Sequence, residues 1–171
     1  MSLQFTVTDS EIKQAKHPHD IFLINLIFNH ILVFVTILSA SSLAQYVFIV
    51  PVFSILSMLY IFIGAIRARQ KYSWYVSGHW QVCLSRSKKF LYVVSAMLAV
   101  FAILWLVSGG HLRPQHWAIG GATMFPVMVM VLILVVLESE SLHNAKQGIL
   151  PNWVLQRFPQ NAPEHTQIQA H

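Results

Sequence analysis

Four long runs of apolar residues dominate this sequence, and they limit what the chain can fold into. None of the runs contains Asp, Glu, Lys or Arg. Because an α-helix rises 1.5 Å per residue, a run of ~20 residues crosses a hydrocarbon core of ~30 Å. Backbone amides in hydrocarbon must bond within their own segment, so we expect four transmembrane helices. The predicted helices are residues 21–40, 47–66, 90–107 and 118–137.

The composition of the chain agrees with a membrane location. Charged residues make up 10% of the 171 residues and hydrophobic residues 56%, whereas a typical soluble domain is about 25% charged. The one cysteine, Cys83, excludes an intramolecular disulfide, a CxxC redox pair and a cysteine-based zinc site. The composition therefore predicts an integral membrane protein. We expect it in a bacterial inner membrane, because the chain is short and its predicted outer loops are minimal.

The distribution of basic residues predicts the orientation. The segment 67–89 is rich in Lys, Arg and aromatic residues and has no acidic residue. The loop between the first two runs has no charged residue, and the loop between the last two has one, Arg113. The positive-inside rule therefore places this segment and both termini in the cytoplasm. The predicted fold is all-α, a four-transmembrane-helix bundle made of two antiparallel hairpins. Residues 1–20 form a cytoplasmic lead-in, residues 21–137 the transmembrane domain, and residues 138–171 a partly disordered cytoplasmic tail.

A cleaved signal peptide is the main alternative for the first run. The sequence SSLAQ at residues 41–45 resembles a cleavage site. However, the polar lead-in is about 20 residues long and the apolar run exceeds the usual 7–15 residues of a signal peptide. We expect the first helix to be retained.

The net charge of +5 is interpreted as a membrane-surface feature and not as a sign of nucleic-acid binding. The basic residues lie between the apolar runs, where topology and lipid headgroups explain them. Two interpretations of the segment 67–89 stay open: part of it lies in the interface as an amphipathic piece, with its rings among the headgroups, or it is the inner end of the second helix followed by a solvated loop. The expected headgroup contacts are Arg67, Arg69, Lys71, Arg86, Lys88 and Lys89.

Polar side chains inside the first two runs predict how the helices pack. Asn25 and Asn29 are four residues apart and share one helix face. Small residues recur along the second run at spacings of three and four, which lets a partner helix approach closely. We expect Asn29 to donate to Ser54 or Ser57, and the asparagines to serve packing and not chemistry. The predicted packing layer consists of Asn25, Asn29, Ser54, Ser57 and Ser95.

His30 is the candidate for chemistry inside the membrane. It lies about 14 Å along the first helix, close to the middle of the bilayer, where an ionisable group suggests a function. Two interpretations stay open: a neutral imidazole bonded to Ser95 or to a backbone carbonyl, or a ligand or proton relay. A haem with two histidine ligands is not favoured, because no other predicted helix contains a histidine. His111 and His116, in an outer loop, are further candidates for a metal or a quinone headgroup.

The sequence HPHD could hold a metal ion through His17, His19 and Asp20. Three donors within four residues are a weak signal, so we expect a solvated interface segment with Asp20 near a helix start. We therefore predict no metal site and favour no cofactor.

The acidic residues that follow the fourth run are interpreted as surface groups. We expect Glu138 and Glu140 to pair with Arg67 or Arg69 across the inner surface, where an exposed ion pair stabilises little.

No catalytic motif accompanies these helices. The sequence has no Walker loop, HExxH, GxSxG or CxxC, and no acidic residue in an apolar run. We therefore expect a protein that is not an enzyme but an accessory, assembly or scaffold subunit of a membrane complex. Its contacts with lipids and with other subunits would use the polar stripe of the first helix and the segment 67–89. Two alternatives stay open: a redox or transport component that uses His30 at a haem, quinone, metal or proton path, and a lipid- or envelope-sensing protein.

Overall fold

A computed structural model describes residues 2–39, 42, 46, 49–111 and 113–158 of the chain. Four of its helices are long and apolar enough to span a membrane: Asp9–Thr36, Ile49–Lys71, Trp74–Val107 and Pro114–Gln147. Their outward faces carry large exposed apolar side chains, among them Phe28, Leu56, Leu106 and Val136. Exposed apolar surface of this extent is compatible with lipid around the bundle. The expected disordered tail beyond Phe158 lies outside the described residues.

The first long helix has three parts: α1 (Asp9–Leu23), a π-helical stretch (Ile24–Val33) and α2 (Phe34–Ser39). The remaining helices are α3 (Ile49–Lys71), α4 (Trp74–Val107), α5 (Pro114–Gln147) and the short α6 (Asn152–Arg157). Two short strands, β1 (Ser2–Gln4) and β2 (Ile149–Pro151), pair antiparallel. This pairing holds the start of the chain against the segment that follows α5.

The first helix begins well before residue 21, where its apolar run begins. A capping box marks its start, because Glu11 N donates to Thr8 Oγ1 at 3.3 Å and Thr8 N donates to the Glu11 carboxylate at 3.0 Å. Such reciprocal bonds satisfy amides that the first helical turn leaves free. Hydropathy locates the apolar part of a helix, so it placed the predicted start too late.

The predicted cytoplasmic segment 67–89 is also mostly helical. Only Tyr72 and Ser73 separate α3 from α4. With 34 residues, α4 is about 51 Å long, against ~30 Å for a hydrocarbon core. Its first turns therefore extend beyond the apolar run, and the residues between Tyr75 and Cys83 are buried in the protein.

One end of the bundle has a densely packed core, which we call the packed end. It joins the first turns of α1, the last turns of α3 and α5, the first turns of α4, and the segment after α5. Gly64 makes this packing close, since a Cβ there would lie 2.0 Å from the Trp80 ring. The buried apolar residues are Ala15, Ala65, Ala68, Tyr75, Val76, Trp80, Val82, Ala145, Leu150 and Val154.

A second apolar cluster continues from the packed end along the four long helices. It is built around Phe22, Leu26, Ile61, Phe90 and Leu134. Cys83 also belongs to it. The candidate site described next lies where the two clusters meet.

Candidate functional site

Six polar side chains from three helices meet inside the protein. They are His19 of α1, His79, Cys83 and Arg86 of α4, and Glu138 and Ser141 of α5, and we call them the buried polar cluster. His19, Cys83 and Glu138 are fully buried, and His79 is 1% exposed. Because burial of polar and charged groups is costly unless they are paired, a cluster of this kind needs an explanation.

The centre of the cluster is the Glu138 carboxylate. One of its oxygens accepts from His19 Nδ1, and the other accepts from the Arg86 guanidinium at 3.2 Å. Arg86 also donates to the Leu137 carbonyl at 2.8 Å and to Ser141 Oγ at 2.7 Å. Two cationic or donor groups therefore compensate the desolvation of the carboxylate.

The two imidazoles of the cluster face each other. His19 Nε2 lies 3.1 Å from His79 Nδ1, and the two rings are perpendicular. Since His19 already uses Nδ1 toward Glu138, both of its nitrogens are engaged. Among the described residues, His79 Nε2 is a buried ring nitrogen without a hydrogen-bond partner.

The Cys83 thiol completes the cluster. Its Sγ donates to the Pro18 carbonyl at 3.3 Å, one residue before His19. His19, Cys83 and Glu138 each offer one ligand atom, and these atoms lie within 4.8 Å of one another. This is a mixed nitrogen, sulfur and oxygen donor set of the kind that binds transition metals.

These contacts differ from two sequence-based expectations. His19 is fully buried, so it does not lie in a solvated interface segment, whereas its neighbour His17 is exposed with Nε2 2.8 Å from the Tyr60 hydroxyl. Glu138 pairs with Arg86 and His19 instead of Arg67 or Arg69. Both differences arise because α1 and α4 continue past their apolar runs and enclose these residues.

The polar layer of the first helix lies inside the protein. Asn25 donates to Ser54 Oγ at 3.3 Å. Asn29 donates to the Asn25 side-chain oxygen at 3.1 Å and to the Val50 carbonyl at 2.9 Å, and not to Ser54 or Ser57 as expected. Asn25 and Asn29 are 0% and 2% exposed, so this stripe is an internal contact and not an outer one.

His30 lies in the π-helical stretch, and its Nδ1 donates to the Asn25 carbonyl at 2.9 Å. A carbonyl only accepts, so Nδ1 carries the proton and Nε2 of the neutral ring carries the lone pair. The ring packs edge-on against Phe90. It also lines a cavity of about 280 Å³ between the four long helices, together with Ser54, Ser95 and Met128.

The other two histidine candidates are at the start of α5. His111 is exposed. His116 Nδ1 accepts from the Arg113 amide at 3.1 Å, so this imidazole caps the first turn of α5. The contact assigns His116 a structural role at a helix start.

The six expected headgroup cations separate into two groups. Arg86 points inward to Glu138, so it is not a headgroup contact as expected. Arg67, Arg69, Lys71, Lys88 and Lys89 are exposed. Arg69 and Lys88 line a second cavity, of about 210 Å³, which Arg157 and Trp153 also line.

No family model, no curated protein and no solved structure matches this chain.

Sequence reasoning did not find the buried polar cluster. Its signal was the spacing His79, Cys83, Arg86, which places three polar groups on one face of a helix at i, i+4 and i+7. That spacing lies in the segment 67–89, for which an interfacial piece or a solvated loop is expected, so a face buried in the protein was not predicted there.

Proposed function

We propose that this protein is a non-catalytic accessory, assembly or scaffold subunit of a larger membrane complex. In this proposal it resides in a bacterial inner membrane, with both termini and the packed end on the cytoplasmic side. The clustering of Arg67, Arg69, Lys71 and Lys88 near that end supports this orientation. The four helices would form two antiparallel hairpins.

The observation that carries the proposal is the cavity beside His30. Its volume is about 280 Å³, all four long helices line it, and it is partly open. Protein interiors pack at the density of organic crystals, so an opening of this size between helices is a place for an apolar group from outside the chain. Membrane helices associate by close packing, and we propose that side chains of a partner's transmembrane helix fill the cavity.

The internal position of the asparagine stripe changes the surface that a partner would use. Asn25 and Asn29 are committed to Ser54 and Val50, so they are not available to another subunit. The cavity wall formed by Ser95, Met97 and Met128 replaces the stripe as the proposed contact surface.

Site-specific photocrosslinking in native membranes tests this proposal. A photoreactive residue at Ser95 or Met128 should crosslink to one membrane protein that also co-purifies in fixed stoichiometry. The control is the same residue at Val136, which is 68% exposed and outside the cavity. Crosslinks to lipid or quinone alone from the cavity positions would contradict the proposal.

A redox or transport component is the second candidate, and the His30 tautomer favours it. With Nδ1 bonded to Asn25 O, Nε2 is an acceptor at the cavity, which suits a quinol hydroxyl or a metal ion better than a quinone carbonyl. A cofactor that co-purifies with the wild type and is lost on His30→Ala, but kept on His116→Ala, would support this candidate.

A further inference from the structure

We propose that the buried polar cluster binds one divalent transition-metal ion of the zinc class. His19, Cys83 and Glu138 are the proposed ligands, and His79 is the proposed supporting partner of His19. The site is at the junction of α1, α4 and α5, away from the cavity beside His30, so it does not depend on the proposed function.

The donor set has the chemistry of such a site. Zinc binds imidazole nitrogen, thiolate sulfur and carboxylate oxygen at about 2.0–2.3 Å in tetrahedral geometry, which places two ligand atoms roughly 3.3–3.7 Å apart. The ligand atoms of His19, Cys83 and Glu138 lie within 4.8 Å of one another. Coordination of an ion would shorten the widest of these separations by about 1 Å. It would also widen the His19 Nδ1–Glu138 contact, which is shorter than the edge of a tetrahedral site.

His79 is placed to support the proposed ligand His19. When His19 binds the ion through Nδ1, on the side of Glu138, its Nε2–H can donate to His79 Nδ1, which lies 3.1 Å away. Metal-binding histidines usually donate their second ring nitrogen in this way, which fixes the tautomer and the orientation of the ring.

The charges of the cluster are compatible with an ion. The Glu138 carboxylate and a Cys83 thiolate, whose proton is released on binding, offset most of the charge of a divalent cation and of Arg86. Arg86 then acts as a positioning residue because it donates to one oxygen of the Glu138 carboxylate, and Ser141 accepts from the same guanidinium. The Arg86–Glu138 salt bridge involves neither the Cys83 thiol nor His79.

Metal analysis of the intact protein tests the proposal. The full chain is produced in zinc-supplemented medium, so that the ion can enter during folding, and is purified in mild detergent without a histidine tag. Metal content per chain is then measured by mass spectrometry. We expect about one zinc ion per chain in the wild type, and at least tenfold less in Cys83→Ser and in His19→Gln, since even loss of a supporting residue costs about 10–100-fold in affinity.

The matched control is His17→Gln. His17 is two residues from His19 but is exposed, so this variant should keep the wild-type metal content. Cys83→Ser keeps a donor to the Pro18 carbonyl, so we expect it to fold.

A second measurement does not depend on the variants. Production of the wild-type protein with cobalt in place of zinc should add the near-ultraviolet absorption of a cobalt–thiolate bond. A wild-type protein that contains no stoichiometric metal and no such absorption would overturn the proposal. Full metal retention in folded Cys83→Ser or His19→Gln would overturn it too, and the cluster would then be a structural hydrogen-bond network.

Discussion

At the scale of single residues, Glu138 is a carboxylate whose burial is costly unless it is paired. It is fully buried, and Arg86 and His19 are its partners. Removal of one partner from a buried ion pair leaves the other uncompensated, which costs about 3–5 kcal/mol. Glu138 comes just after an apolar run, and it is stable in this buried position because His19 of α1 and Arg86 of α4 pair with it.

We expect Glu138→Gln to destabilise the protein by about 3 kcal/mol, because Arg86 then has no anionic partner. Unfolding by sodium dodecyl sulfate in mixed micelles measures this change. Glu140→Gln is the control, since Glu140 is exposed and should change stability by less than about 0.5 kcal/mol. Equal stabilities for the two variants would show that the Arg86–Glu138 pair adds nothing.

Asn29 is the residue that ties the first helix to α3. Its amide donates to the Val50 carbonyl and to Asn25. Hydrogen bonds between membrane helices are worth roughly 0.6–2 kcal/mol each, so we expect Asn29→Leu to destabilise the protein by about 1–3 kcal/mol. The same unfolding assay applies. Thr36→Val is the control, because the Thr36 hydroxyl donates to Leu32 O of its own helix, its only bond within the described part of the chain, and is exposed. Thr36→Val should leave stability nearly unchanged.

At the scale of helices, the close approach of α3 and α4 depends on Gly64. A Cβ at this position would lie 2.0 Å from the Trp80 ring, which is a clash and not a contact. Small residues at helix interfaces let backbones approach in this way. The close contact between α3 and α4 at the packed end is therefore between Gly64 on one helix and Trp80 on the other.

We expect Gly64→Ala to lower the melting temperature in detergent, with a cost of about 1–3 kcal/mol from overpacking. The matched control is Gly121→Ala, because a Cβ at Gly121 meets nothing within 4 Å and alanine favours the helix. The double variant Gly64→Ala with Trp80→Leu should recover part of the loss. A Gly64→Ala protein as stable as the wild type would show that Trp80 moves freely.

At the scale of the whole molecule, several basic groups lie together near the packed end, and we propose that they bind anionic lipid. Arg69, Lys88 and Arg157 line one cavity, and Trp153 and Phe158 line it too. Aromatic rings of this kind are common at the membrane–water interface. Arg157 follows the last long helix and comes to this surface only through the turn at β2 and α6. The surface is therefore assembled from three parts of the chain.

We expect the double variant Lys88→Gln with Arg157→Gln to bind anionic lipid more weakly, by about 1 kcal/mol per charge removed. Native mass spectrometry of the detergent-solubilised protein with phosphatidylglycerol measures the lipid retained. Retention by the wild type should fall as salt rises, since exposed charges are screened. Arg113→Gln is the control because Arg113 lies at the opposite end of α5. Equal losses in control and double variant would contradict a localised surface.

The sequence predicted four membrane-spanning helices because hydrocarbon forces backbone amides to bond within each segment. It also predicted that Asn25, Asn29 and Ser54 belong to one packing layer, since side chains three or four apart share a helix face. It did not predict the extent of the helices, because the turns beyond an apolar run carry the polar composition of a loop. For that reason the helical period of His79, Cys83 and Arg86 was missed.

The sequence by itself predicted four helices that are long and apolar enough to span a membrane, because apolar runs of this length satisfy their backbone amides as helices. Only the tertiary structure decided which polar residues form a site. His19, Cys83 and Glu138 are far apart in sequence, and they meet because α1, α4 and α5 extend past their apolar parts and pack together. Contacts between distant segments depend on how helices rotate and overlap, and no local pattern of residues encodes that geometry.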